Sequence, residues 1–535
     1  MRFLPVSLDA FLVETSTQEE RLALLDKLLS ETPVGIEEIV PAARTLLIRY
    51  QPYIVDAQTL VNTISRYTFN YLVHAAGRVI DIPVCYNGED LSEVAHILGI
   101  STAEVIRQHT QTEFTVAFTG FAPGFAYLSG NRNLVVPRKT SPRLWIPAGS
   151  VGLAVEFSGI YPKSSPGGWQ LIGKTEKAMW DPNRSVPALL QPGMRVHFYE
   201  DRHRTLSLPP LTGDMTPSDA AEGVSALKVM APGVEMLYQD DGRAGQSSQG
   251  VSCAGALDRG AYHSANRAVG NPSHVPCLEL IPGGVVIESH ADNLVAVTGA
   301  TCPLTLITQT GTVHHLPGWQ PFPLVKGDRL LIGRASQGVR SYLAIRGGFA
   351  VTLVAGSAST DTLAQLGPPP ITRGTVLKRL NGKGLSAVAP NEQPNLPLPI
   401  IGETTVLDVI MGPRTDWFTS DAVNNFAAQR WHVTPHSSRI GLRLTGETAL
   451  TRLIEGELPS EGARPGAIQI PANGQPVVFL ADYPLTGGYP VIAYVAPWHL
   501  DLASQLPPGA WIHFNPVQPF RALTSNLPPF LSRNA

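Results

Sequence analysis

The chain has 535 residues, 43% of them hydrophobic and 16% charged, with a formal net charge of −3 at pH 7. This balance excludes a disordered chain and offers no electrostatic reason to bind nucleic acid or an anionic membrane. The length predicts about three or four domains, and 49 glycines with 47 prolines favour strands and turns over long helices.

In chain order, Gln18–Leu29 carries Leu22, Leu25, Leu28 and Leu29 at helical spacing. Thr45–Tyr50 (TLLIRY) reads as a strand and Asp56–Tyr67 as a second amphipathic helix, so a small α+β domain is expected over residues 1–76. Leu91–Leu98 and Thr102–His109 read as short helices, the first capped by Asp90 or Ser92. From Phe114 to Tyr199 the pattern is strands and turns, predicting a β-barrel over 77–205. Residues 206–226 have linker composition, and Lys228-Val229-Met230 opens a second β-rich region. That region divides near 381–402, which predicts barrels over 227–395 and 396–520 and a tail over 521–535. Three turn-then-strand endings (Pro192-Gly193 to Phe198, Lys326-Gly327 to Ile332, Pro508-Gly509 to Phe514) hint at three related barrels.

No targeting segment is expected, since Asp9 and Glu14 interrupt the apolar start and no small-residue cleavage site follows. No apolar run is long enough to span a membrane. Cys85, Cys253, Cys277 and Cys302 are too few and too scattered for a disulfide frame or a zinc site, which fits a reducing cytoplasm.

The densest segment is Val136–Thr175. Gly168 to Thr175 satisfies the P-loop formula G-x4-G-K-[ST], yet Trp169, Gln170, Leu171 and Ile172 are bulky and strand-like where that loop needs small residues. Pro162 and Pro166 exclude a central strand before it. Read instead as short strands between glycine and proline turns, the segment offers Arg138, Lys139, Arg143, Lys163 and Lys174 to a carboxylate or phosphate. Upstream, Pro123 and Gly124 fit a type II turn that presents Tyr127 to a pocket or to aromatic packing.

In the second half, Asp258 opens a helix as its N-cap or acts in catalysis. Arg439 and Arg443, four apart in an extended segment, share a face and could clasp one anion, or form a structural salt bridge to Asp482 or Asp408. Gln469, Asp482, Thr486 and Tyr489 add an amide, a carboxylate, a hydroxyl and a phenol. Ser252 misses the G-x-S-x-G spacing, and Pro435 between His432 and His436 argues against a helical metal pair.

The motifs FAPGFAYL, RKTSPRLWIPAGSVG and GIYPKSSPGGWQLIGKT, followed by QDDGRAGQSSQGVSCAGALD, SSRIGLRL, ARPGAIQIPANGQPVVFLAD and TGGYP, resemble the B-type and C-type 5-oxoprolinase subunit families. These are the KipI-like and KipA-like, or allophanate hydrolase subunit 1 and 2, families, similar to the carboxyltransferase part of urea carboxylase. The resemblance covers residues 1–205 (B-type) and 225–520 (C-type), as in a fusion of two chains. It implies a mainly β fold with cyclophilin-like β-barrels in tandem behind the α+β domain. It also implies ATP-dependent opening of 5-oxo-L-proline to L-glutamate, with Mg2+ and a separate A-type 5-oxoprolinase subunit. Carried over, the catalytic set is Asp258, Arg439, Asp482 and Tyr489. The binding set is Tyr127, Arg138, Tyr161, Trp169, Gln170, Lys174, Arg243, Arg443, Gln469 and Thr486, and no metal ligand is expected on the chain. The departures from the family pattern are Phe157-Ser158, Met236-Leu237 and Pro484-Leu485, polar-to-apolar changes near expected pocket loops. A carboxyltransferase-like or amidohydrolase partner acting on another small amide, or a regulator of a sensor histidine kinase, are the alternatives the resemblance leaves.

Overall fold

The computed structural model describes residues 1–68, 78–139, 141, 143–182, 184–201, 223–382, 384–456 and 458–525. Most of the expected linker, and the end of the expected tail, lie outside the described residues.

The first unit is a four-stranded antiparallel sheet in the order Arg2–Ser7, Ala10–Glu14, Thr45–Tyr50, Ile36–Pro41. The helices Gln18–Ser30 and Ala57–Ile64 begin at Thr17 and Asp56, whose side chains accept the N–H of Glu20 and Thr59. Leu24, Leu28, Leu60 and Ile64 close one face of the sheet over Phe11, Leu46 and Ile48. The other face (Leu4, Val6, Leu12, Leu47) buries itself against Phe479, Tyr483, Leu485 and Tyr494, which belong to the last barrel in the chain. Arg464 pairs with Asp9 at 2.6 Å and Arg414 with Glu14 at 2.9 Å across the same seam.

The second unit is a seven-stranded sheet, ordered Gln170–Lys174, Ser150–Ala154, Phe157–Ile160, Ala126–Ser129, Glu113–Thr119, Arg195–Glu200, Val79–Val84. Its two edges meet: Cys85 N–H donates to Lys174 O at 2.8 Å and Lys174 N–H to Cys85 O at 2.9 Å. This pair of bonds closes the sheet into a barrel. The helices Leu91–Leu98 and Thr102–Gln111 supply Val94, Ala95 and Val105 to its core.

The third unit packs a six-stranded sheet on a five-stranded one around Leu227, Val229, Leu280, Ile287, Leu330 and Leu343. The helix Arg259–Ala268 lies on the five-stranded sheet against Cys277, Ala296 and Tyr342. The fourth unit is a closed seven-stranded barrel running from Thr404–Met411 to Trp511–Gln518. Phe426, from the helix Ser420–Ala428, stacks on Phe514 at 4.7 Å.

The expected kinship of the barrels has a topological basis. In both the second and fourth units the last strand returns parallel to the first, Arg195–Glu200 beside Val79–Val84 and Trp511–Gln518 beside Thr404–Met411. Gly193, Gly327 and Gly509, in the three turns before these endings, all have φ between 86° and 94°, a region glycine enters without strain. The third unit differs, because Arg329–Ile332 has antiparallel neighbours on both sides.

Candidate functional site at the junction of the two halves

The Pro123-Gly124 turn forms as expected, with Phe125 N–H donating to Ala122 O at 2.9 Å and φ of 76° at Gly124. It projects the loop 120–125 out of the first barrel and into the second half. There Gly124 N–H donates to Gln249 O at 2.9 Å, and Thr119 Oγ1 donates to Ser247 O and Ser248 O at 3.0 and 3.1 Å. Gly250 must be glycine, since its φ is 76° and a Cβ would lie 2.8 Å from Ala122 O. Thr486 fills the space beside Gly120, and its buried Oγ1 has no hydrogen-bond partner among the described residues.

Behind this loop the structure brings together Tyr127, Tyr161 and Trp169 with Phe118, Phe125 and Phe157. Ring centroids lie 4.2 Å apart for Phe118–Tyr127, 5.3 Å for Phe125–Tyr161 and Phe125–Trp169, and 5.5 Å for Tyr127–Trp169. The Phe118–Tyr127 pair is stacked and the others meet edge-to-face, which locks the rings into one packed aromatic cluster. Burial pushes the Tyr127 phenol up to about 12 and Tyr161 above the usual phenol range, while the positive charge of Arg138 pulls both the other way. Gln170, next along the strand, reaches the other way and donates to Pro137 O at 3.3 Å. Lys174 stands at the far end of that strand from Trp169, and its backbone forms the barrel seam. No helix follows it, so the P-loop formula is a coincidence of strand residues.

Among the charged residues singled out in Val136–Thr175, two are committed elsewhere. Lys139 and Arg143 pair with Asp90 at 2.8 and 2.7 Å. Asp90 Oδ2 also accepts the Leu171 N–H at 2.7 Å. Burial would raise the Asp90 carboxyl, but the bonds to Arg143, Lys139 and Leu171 outweigh it and hold the acidity below the ordinary aspartate value.

The polar centre lies where the halves meet. Arg439 is fully buried: Nε and Nη2 each lie 3.0 Å from Asp482, Nη2 reaches Gly255 O at 2.6 Å, and Nη1 pairs with Glu279. Asp482 Oδ2 also accepts the N–H and hydroxyl of Thr362 at 2.8 and 2.7 Å. Arg243 donates to Val354 O at 3.5 Å and to Ser359 O, while its buried Nη1 has no partner among the described residues. Asp361 Oδ1 accepts the N–H groups of Leu363 and Ala364 at 3.0 and 2.8 Å, and Oδ2 faces Ser252 Oγ at 3.4 Å. Burial and the charge of Asp482 push the Asp361 carboxyl up to about 6. From the first half, Lys163 donates to Ala364 O at 2.7 Å, Leu363 O at 3.2 Å and Gln365 Oε1 at 3.4 Å. Burial brings its ammonium down to about 8, against the pull of Asp361.

Several expectations are corrected by this geometry. Arg439 and Arg443 do not converge. Arg443 is exposed on the strand Gly441–Thr445, whereas Arg439 precedes that strand and turns inward to the salt bridge with Asp482. Leu442 and Leu444 do point into the barrel core. Asp258 caps its helix, with Oδ1 accepting Ala261 N–H at 2.8 Å and Oδ2 accepting Gln505 Nε2 at 2.7 Å. Burial and the neighbouring Asp501 push its carboxyl up to about 7. It borders a separate cavity of about 410 Å³, lined also by Trp319, Trp498 and Asp501. Gln469 packs under Gly487 near Thr486, but Tyr489 is half-exposed, with the Arg452 guanidinium 5.7 Å from its ring centre. Of the three departures Phe157 packs on the aromatic cluster, 5.7 Å from the Tyr127 ring, and Met236 and Leu485 are packed into other cores. Among the described residues no group of three or more His, Cys, Asp or Glu could hold a metal ion.

Residues 1–190 match the family described as carboxyltransferase domain, subdomain C and D, and residues 249–516 match carboxyltransferase domain, subdomain A and B. The chain belongs to this carboxyltransferase-domain family. More particularly, it joins homologues of two 5-oxoprolinase subunits. It is 39% identical over 209 residues to the B subunit of Haemophilus influenzae 5-oxoprolinase, covering 37% of this chain and 97% of that one. It is 34% identical over 291 residues to the C subunit of Escherichia coli K12 5-oxoprolinase, covering 54% and 90%. The crystal structure of TTHA0988 is 33% identical with a TM-score of 0.81, covering 95% of this chain and 99% of that one.

Proposed function

We propose that this chain is the fused B–C component of an ATP-dependent 5-oxoprolinase, opening 5-oxo-L-proline to L-glutamate together with an A-type protein in the cytoplasm. The observation that carries the reading is the junction itself: homologues of both 5-oxoprolinase components meet there around one buried polar centre beside a packed aromatic cluster. A lactam carbonyl is a poor electrophile, and transfer of a phosphoryl group from ATP to its oxygen would create a leaving group. Such a step needs fixed donors and cations facing the amide in a site that excludes water. The packed rings of Tyr127, Tyr161 and Trp169 would back the junction, and Arg243 Nη1, buried and without a partner among the described residues, would be available to an anionic group. Mg2+ would enter bound to the phosphates, with its further ligands from water and from carboxylates of either protein. The test is ATP hydrolysis and glutamate release with 5-oxoproline, with and without an A-type protein. ATP turnover indifferent to the lactam in both cases would overturn the reading.

A second reading, favoured by the family's carboxyltransferase designation, is a partner of a biotin enzyme that carboxylates a small amide. Amide-dependent decay of carboxybiotin on addition of the chain, with no glutamate formed, would select it.

A further inference from the structure

One peptide group connects the two halves electrostatically. The carbonyl of the Leu363–Ala364 peptide accepts from Lys163 Nζ at 3.2 Å, and the N–H of the same peptide donates to Asp361 Oδ1 at 2.8 Å. A cation at the oxygen end and an anion at the N–H end polarise the peptide in the same sense, so each bond strengthens the other. Ala364 O and Gln365 Oε1 take the remaining ammonium donors. Lys163 is itself only two residues from Tyr161 in the aromatic cluster, and Pro162 between them fixes one backbone angle. On the other side of the turn, Thr362 binds Asp482, and Asp482 binds Arg439. The turn 361–365 is therefore held by the first half through Lys163 and by the last barrel through Asp482.

We propose that Lys163 is a positioning residue through which the first half fixes the orientation and charge of the Asp361 carboxylate in the second half. Its relevance to turnover rests on the reading that this junction serves amide opening. The charged groups facing Asp361 are Asp482 and Arg439 from the last barrel, Arg243 from the segment after the strand Met236–Gln239, and Lys163. The bonds of Arg243, Arg439 and Asp482 described above do not involve Lys163, so a shift in Asp361 titration that Lys163→Arg reverses reports on the charge at Lys163.

The experiment uses the full chain as wild type, Lys163→Gln and Lys163→Arg. Amide exchange of the segment 359–366, corrected for intrinsic rates, is followed by mass spectrometry between pH 5 and 8. Protection in the wild type should fall as Asp361 gains a proton. In Lys163→Gln the midpoint should rise by about one pH unit, the shift expected when a nearby opposite charge is lost, and Lys163→Arg should restore the wild-type midpoint. Coincident midpoints in all three proteins would overturn the proposal. The second readout is the acid limb of lactam-dependent ATP hydrolysis, which should move with the midpoint in Lys163→Gln while the plateau rate is kept. A uniform loss of rate with an unmoved limb would reduce Lys163 to a structural contact. A wild type without lactam-dependent turnover would defeat the functional reading and leave the exchange result to decide the role of Lys163.

Discussion

Replacing Arg439 with methionine preserves much of its bulk and removes the charge that two buried carboxylates share. The guanidinium supplies two bonds of 3.0 Å to Asp482, one of 2.6 Å to Gly255 O and one to Glu279. After the change Asp482 keeps its two bonds from Thr362, and Glu279 keeps Tyr342 Oη, Leu257 N–H and Arg340 at 3.4 Å. These partners satisfy the oxygens but leave two carboxylates with one buried cation, and such a broken pair costs about 3–5 kcal/mol. At about 2–4 °C per kcal/mol for a cooperative unit of 150–250 residues, melting should fall by roughly 6–20 °C. Differential scanning calorimetry at pH 7.5 measures this, with Arg443→Met as the control. Arg443 is exposed, and a change there should stay within about 0.5 kcal/mol of the parent. An Arg439→Met protein that melts like Arg443→Met would refute the assignment of Arg439 to the scaffold.

At the barrel seam, a Cβ on Gly173 would lie 2.7 Å from Cys85 O, so Gly173→Ala should cost about 1–3 kcal/mol by overpacking; Lys174→Met, which spares the seam's backbone bonds, should melt like the parent. Proteolysis between Leu211 and Ala221 should leave the halves together on a sizing column, whereas Gly250→Val, which drives a side chain at Ala122 O, should let them separate. Because the folded Asp90 carboxyl is more acidic than the unfolded one, its stabilisation is fully present above the unfolded pKa of about 4 and fades as pH falls through the folded value. The melting gap between wild type and Asp90→Asn should therefore be constant at neutral pH and narrow as pH falls below about 4, and a gap that does not narrow in acid would contradict the pairing with Arg143 and Lys139.

The local features could be read from the sequence because neighbouring residues decide them. Asp56 and Asp258 stand where a helix start needs an acceptor, and Pro123-Gly124 stands where a type II turn needs a fixed φ and then a positive one. The polar centre was harder to read because it depends on three units arriving together. Asp361 sits in the run Ser357-Ala-Ser-Thr-Asp361, where clustered hydroxyls around a carboxylate were the available signal, yet its buried surroundings come from distant segments that supply Ser252, Arg243 and Asp482. The error over Arg439 and Arg443 has a similar cause. The rule that residues four apart share a face holds within a strand, but Ser438 N–H bonds back to Gly441 O, so the chain turns between the two arginines and the alternation is broken.

The packing of the first sheet against the last barrel bears on how such a fusion can be assembled. Leu523 N–H bonds to Phe3 O at 2.9 Å and Gln58 Nε2 to Thr524 O at 2.9 Å, so the two described ends of the polypeptide lie side by side. The order of the halves along the chain is thus one cut of a nearly circular path. A permuted gene that joins residue 525 to residue 1 by a short connection and opens within 206–222 would run the C-type half first, and it should reach the same fold without rebuilding any interface. Gene order in fusions of this kind is then left to chance, because the geometry of the assembled protein is indifferent to it.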